Sequence, residues 1–344
     1  MTSWLLRRMG WLLLTLLGVT FVTFFVLDRA PIDRAELEAD RLSQSSAEVG
    51  SAITSDAERA EAVRGLRIRY GMIDAETGKP APLWRRYFAW LGNAMTLQLA
   101  GPGEDQAAFW RRLAEAAPVT LLLGLLGLGI AFGAGLPFGV WVGRRAGRRS
   151  ESLCSGALLA GIAVPEFLMA TLLLLLLSSA WLQWFPASGL RSIGARDFAF
   201  IWQVLDFVWH LILPVFVLSV GPFVMVSRFV RDAVVRTERA PFLANLRALG
   251  MPEREIGRRL MRHGSTPVAT LAGGLLPMVV GGSIVVENLF SLDGLGHLAF
   301  QAVLDQDQAM VMALVLLTSV VTLMALLVSD FLHRLVDPRV RLHA

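Results

Sequence analysis

The chain has 344 residues, of which 55% are hydrophobic, and its mean hydropathy of +0.57 stands above that of soluble proteins. A formal charge of +4 comes almost wholly from arginine, since Lys79 is the only lysine, and no basic stretch is interleaved with stacking aromatics, which excludes a nucleic-acid partner. The single cysteine, Cys154, excludes an internal disulfide.

One membrane crossing needs about 20 apolar residues, and by that measure the chain reads as an all-α integral membrane protein with about six transmembrane helices. The apolar stretches are Met9–Leu27, Pro118–Val142, Leu153–Phe185, Phe207–Ser227, Val268–Val286 and Ala309–Ser329. In hydrocarbon every backbone N–H and C=O must be paired within its own segment, so each is read as a helix. The first has the basic flank of a signal peptide in Arg7-Arg8. Its apolar run is too long for one, however, and no small-residue cleavage site follows Leu27, so it is read as an uncleaved span.

Arginines set the orientation. They precede the first span (Arg7, Arg8), fill the loop after the second (Arg144, Arg145, Arg148, Arg149), crowd the segment after the fourth and follow the sixth (Arg334, Arg339, Arg341). The loop Glu287–Gln308 carries Glu287, Asp293, Asp305 and Asp307 and no arginine or lysine. Both termini are therefore expected on the cytoplasmic side of the membrane.

Three regions follow: an N-terminal span (residues 1–27), an extracytoplasmic insert (28–117) and a core membrane domain (118–344) with a long cytoplasmic loop at 238–267. The first half of the insert, Ala35–Arg69, reads as solvated helix. The second half carries Tyr70, Trp84, Tyr87, Phe88, Trp90 and Trp110, enough aromatic surface to pack on a membrane face or a partner; a small packing cap is the plainer reading. Glycine is dense in the second and fifth spans, which favours closely packed helices. Pro165, Pro214, Pro222 and Pro277 fall within apolar spans, where each removes a backbone hydrogen bond and can kink its helix.

The cytoplasmic segment Glu238–Pro267 reads as two short helices. Pro241 suits a first helical position, and Gly250 sits where a left-handed cap is wanted. Pro252 and Glu253 open the second helix with an acid at its positive end. Phe242, Leu243, Leu246, Leu249 and Met251 put apolar surface on the aqueous side, a face suited to a groove on a partner.

These residues resemble a family. Ala240–Pro267, with Leu246-Arg247-Ala248-Leu249-Gly250, looks like the coupling loop of permease subunits of ABC importers of the dipeptide/oligopeptide class. Val285-Val286-Glu287-Asn288-Leu289-Phe290 followed by Gly294-Leu295-Gly296 resembles that family's extracytoplasmic signature, and Asp337-Pro338-Arg339 its ending. Leu6-Arg7-Arg8, Val164-Pro165-Glu166-Phe167 and Trp184-Phe185-Pro186-Ala187-Ser188-Gly189 match in order along the chain. The pattern is broken at Asn245-Leu246, at Leu249 and at Asp293, where a proline is usual.

The resemblance implies a type I importer bundle, a second homologous permease subunit, two ATPase subunits and an extracytoplasmic solute-binding protein. It implies peptide or peptide-like cargo and alternating access. Phe242, Leu243, Leu246, Arg247, Ala248, Gly250 and Glu253 would couple to the ATPase, while Glu287, Phe290, Gly294 and Gly296 carry the extracytoplasmic motif. A P-loop needs Gly-Lys followed by Ser or Thr, and the only lysine is followed by Pro80, so no cofactor is expected on this chain and ATP is expected on its partners.

Two other classes compete. An intramembrane enzyme would need a nucleophile–base pair or metal ligands at bilayer depth, but the histidines are scattered and show no His-Glu-x-x-His spacing. No catalytic or metal-binding residue is expected. An ion-coupled secondary carrier would need several charges within its spans, and these have almost none. Glu166, beside Pro165, reads as a buried intramembrane acid and a candidate pathway residue.

Overall fold

The computed structural model describes residues 2–29, 35, 36, 39, 56–74, 77–101, 104–179, 182–238, 245, 248–252, 254–258, 271, 274–281 and 283–336. Among them the only β pairing is an isolated bridge between Ile73 and Pro80, so the fold is all-α. Four helices are long and apolar enough to cross a membrane, or five if one sharply bent pair counts as a single span. The span expected over Val268–Val286 lies partly outside the described residues.

Helices divide between two compact units: Met1–Leu113 with Gln301–Ser319, and Ala114–Phe300 with Val320–Ala344. In the first, α1 (Thr2–Asp28) is the N-terminal span. The insert contributes α2 (Asp56–Arg69) and α3 (Leu83–Met95). Tyr87 of α3 is buried against α1, with ring centroids 5.2 Å from Phe21 and 5.7 Å from Phe24. Its phenolic oxygen lies 2.9 Å from the Thr20 hydroxyl, and Arg86 pairs with Asp28 at the end of the span. A smaller cluster of Val63, Leu66, Ala35 and Ala39 packs with Tyr70.

The second span is α4 (Gln106–Gly143), which begins well before the apolar stretch, so its first turns come from the insert. The third apolar stretch is not one straight helix. It is α5 (Arg149–Ala163) and α6 (Glu166–Leu173), bent by 92° and continued by a π-helical turn over Leu174–Ser179. Pro165 disfavours the α region at Val164, which is extended at φ −80° and ψ 119°, and it cannot donate into the preceding turn. Pro214 and Pro222, by contrast, stay within the unbroken α7 (Phe200–Glu238). Both are buried, so neighbouring elements hold the helix through the missing hydrogen bonds.

Helices α4 and α7 meet through glycines four residues apart. A Cβ on Gly139 would lie 2.6 Å from the Ser227 carbonyl oxygen and 2.8 Å from Val230 Cβ. One on Gly143 would lie 2.8 Å from Val234 Cβ, and one on Gly135 3.1 Å from Val226 Cγ1. Four-residue spacing is a ridge of one helix face, and small residues along it let the backbones approach. Val226, Val230 and Val234 form the matching ridge with Leu275 beside them. On the side of the arginine-rich loop, Arg231 of α7 binds Glu151 of α5 at 2.6 Å.

The remaining elements are α8 (Pro277–Gly281), α9 (Ile284–Leu289), α10 (Leu295–Leu304) and α11 (Gln308–Val336). Pro277 opens α8, where its missing N–H is no loss.

Candidate functional site

The Val-Glu…Gly-Leu-Gly segment folds into a closed polar knot. Glu287, 1% exposed, is among the most deeply buried charged residues described. Its Oε1 accepts from the Thr120 hydroxyl of α4 at 2.9 Å, and its Oε2 accepts from the backbone N–H groups of Gly296 at 2.7 Å and His297 at 3.1 Å. Thr120 in turn accepts from the Leu295 N–H at 2.8 Å. Three orphan donors at the start of α10 are thereby satisfied, two of them by a carboxylate at the positive end of the helix.

The glycines follow from this geometry. A Cβ on Gly294 would lie 2.7 Å from the Thr120 hydroxyl and 2.6 Å from the Glu287 carboxyl carbon. One on Gly296 would lie 2.9 Å from the same carboxylate. Phe290 is buried in a core with Leu123, Leu211, Val215 and Leu292, and its carbonyl accepts from the Gly189 N–H at 2.8 Å. Glu287, Phe290, Gly294 and Gly296 therefore form one structural fastener between α4, α9 and α10.

A cleft of about 360 Å³ opens beside the break in the third span. Its wall includes Gly124 and Gly127 of α4, Gly161 of α5, Glu166 of α6, Gly221 of α7 and Ser283. Glu166 is exposed here, which corrects its reading as a buried acid: the break puts it in the first turn of a new helix. Ser283 donates to Glu166 at 2.9 Å and accepts from the Val286 N–H at 3.2 Å, so one hydroxyl both caps α9 and orients the acid. The surroundings are mostly apolar with two polar groups, a composition suited to passing solutes.

Of the residues expected to couple to an ATPase, Phe242, Leu243, Leu246, Arg247 and Glu253 lie outside the described residues, as does the Asp337-Pro338-Arg339 ending. Ala248 ends a helical stretch, and Gly250 has φ +75°, the left-handed conformation wanted at a helix end. Past it the Pro252 carbonyl accepts from the N–H groups of Glu255 at 2.9 Å and Ile256 at 3.1 Å, which starts the second helix. Leu249 is 81% exposed.

Three participants escaped the sequence. Thr120 and Ser283 are single hydroxyls in apolar runs, and Glu151 sits far from Arg231 in the chain. None carries a local signal. The Ser192 hydroxyl donates to Asp206 at 2.6 Å, while His210 Nδ1 lies 2.7 Å from the Asp206 carbonyl oxygen. The serine is thus committed to the acid and forms no nucleophile–base pair with the histidine. Among the described residues no three His, Cys, Asp or Glu side chains are grouped to hold a metal.

Residues 135–342 match the family model described as binding-protein-dependent transport system inner membrane component. The oligopeptide transport system permease protein AppB of Bacillus subtilis is 28% identical over 349 residues, covering 99% of both chains. The dipeptide transport system permease protein DppB of Lactococcus lactis is 28% identical over 357 residues, covering 99% of this chain and 100% of its own. The peptidoglycan transport system permease protein YejB of Agrobacterium fabrum is 25% identical over 361 residues, covering 99% of this chain and 98% of its own.

Proposed function

We propose that this chain, which belongs to the family of binding-protein-dependent transport system inner membrane components, is the permease subunit of an ATP-driven importer of peptides or peptide-like solutes. Full-length similarity to permeases named for oligopeptide and dipeptide transport carries this reading. The glycine-walled cleft beside the bent third span, with Glu166 and Ser283 on its wall, is the part of the pathway visible within one chain. It favours a transport subunit over an enzyme, because its polar groups are hydrogen-bonded and aligned for no bond-making step.

The system includes an ATPase and a solute-binding protein. In the proposed assembly, two ATPase subunits bind the ATP and a second homologous permease completes the pathway. Both termini lie in the cytoplasm, as the arginine distribution requires. Residues 28–117 form the extracytoplasmic insert, and 238–267 form the coupling loop. Phe242, Leu243, Leu246, Arg247, Ala248, Gly250 and Glu253 meet the ATPase. Closure of the ATPases would displace that loop and swing the spans between two states around the cleft.

The test is uptake of labelled peptides into vesicles holding the chain with its companion subunits. The reading predicts uptake that requires both ATP and the binding protein. Uptake driven by a proton or sodium gradient and indifferent to ATP would replace it with an ion-coupled carrier.

A further inference from the structure

One helix of the insert presents apolar surface that its own unit does not cover. In α3, Leu83, Tyr87, Trp90 and Ala94 turn toward the unit's interior, Tyr87 and Ala94 being buried. A second apolar stripe, at spacings of four and eleven residues from Trp84, runs beside that face. It holds Trp84 at 62%, Phe88 at 61% and Met95 at 82% exposure. The polar side, with Arg85 and Asn93, borders an open recess of about 880 Å³. The helix thus has a packed face, a bare apolar face and a wetted face.

Its anchors fix its depth. Arg86 pairs with Asp28, where the apolar stretch of α1 ends. Tyr87, the next residue, reaches Thr20, just over two turns before Asp28, or about 12 Å along the axis at 1.5 Å per residue. Arg86 and Tyr87 thus tie α3 to two levels of the last turns of α1. The bare stripe also continues the exposed apolar surface of α1. Phe88 packs edge-on to Tyr87, which packs edge-on to Phe21, and Phe21, Val22 and Val26 are exposed on the span itself.

We propose that α3 is a membrane-interface helix, seated in the leaflet where α1 ends, with Trp84, Phe88 and Met95 inserted among lipid chains. Amphipathic helices with aromatic residues on the apolar face bury that face roughly 5–10 Å into this boundary, and tryptophan is enriched there. The helix would brace the first span and hold the floor of the recess against the membrane surface.

The full chain has one native cysteine, so Cys154→Ser gives a background for single reporters. Trp84→Cys, Phe88→Cys and Met95→Cys, with Arg85→Cys and Asn93→Cys as controls, are labelled with an environment-sensitive fluorophore in phosphatidylcholine/phosphatidylglycerol nanodiscs. Labels at 84, 88 and 95 are expected to be quenched by nitroxide-bearing lipids and at least threefold less by aqueous iodide than those at 85 and 93. Equal iodide quenching at all five positions would overturn the proposal. So would protection of 84, 88 and 95 that arises only when a solute-binding protein is added. The unsubstituted chain gives an independent check with a phospholipid carrying a photoreactive acyl chain: adducts are expected on the tryptic peptide that begins at Tyr87, and their absence there while α1 is labelled would contradict it.

Discussion

The Thr120 hydroxyl donates to the Glu287 carboxylate at 2.9 Å across 167 positions of sequence, and through this bond the second span holds the start of α10. Glu287→Ala would leave Thr120 and the Gly296 and His297 amides without their acceptor. Stranded buried donors cost about 1–3 kcal/mol each, so a loss of at least 3 kcal/mol is expected. Glu287→Gln keeps one good acceptor oxygen and should lose about half as much. Thermal unfolding in detergent measures this order, with Thr120→Val between the wild type and Glu287→Ala.

Glycines of α4 should divide sharply by position. Gly139→Ala places a methyl group against the Ser227 carbonyl and Val230, an overpacking that costs about 1–3 kcal/mol. A Cβ on Gly133 would meet nothing within 4 Å, so Gly133→Ala should stay within about 0.5 kcal/mol of wild type. Detergent melting curves of the two variants, taken side by side, check the contrast.

Glu166 and Ser283 share a hydrogen bond but should fail differently. Ser283→Ala removes the cap of α9 and is expected to lower stability by about 1 kcal/mol. Glu166→Gln keeps a partner for Ser283 on an exposed side chain and should leave the melting temperature unchanged. It does remove a charge from the cleft, worth about 1 kcal/mol to a cation 4 Å away in water, so preference for cationic over neutral peptides should fall several-fold. Competition between labelled peptides in the uptake assay reads this.

Gly250 stands in the left-handed region, which costs other residues about 1–2 kcal/mol, with asparagine tolerated best. Gly250→Val and Gly250→Pro should therefore reduce ATP-driven uptake severely while membrane insertion and protein level stay normal. Gly250→Asn should keep most of it. Parallel measurement of uptake and protein level separates a coupling defect from a folding one.

Much of the fold was legible because hydrocarbon leaves few options. The uncharged stretches around α1, α4, α7 and α11 had to be helices, and their residues are. Pro165 was visible as a perturbation, but whether a proline kinks, breaks or is absorbed depends on its neighbours. Pro165 gives a 92° bend between α5 and α6, while buried Pro214 and Pro222 leave α7 whole. That bend also sets Glu166, exposed, in the first turn of a new helix. The signature around Glu287 was readable as a motif, yet its purpose needed Thr120, a lone hydroxyl with no periodic or charge signal. Gly250 was the reverse case, a local backbone requirement that spacing to Pro252 announces and φ +75° meets.

The most direct test of an externally driven membrane bundle is a crosslink from its exposed turn at Leu249. Leu249→Cys in a Cys154→Ser background, assembled with the companion ATPase and treated with a short thiol–amine crosslinker during turnover, should give an adduct to the ATPase whose yield changes with nucleotide. Adducts only to lipid or to this chain's own helices, with or without ATP, would contradict the account.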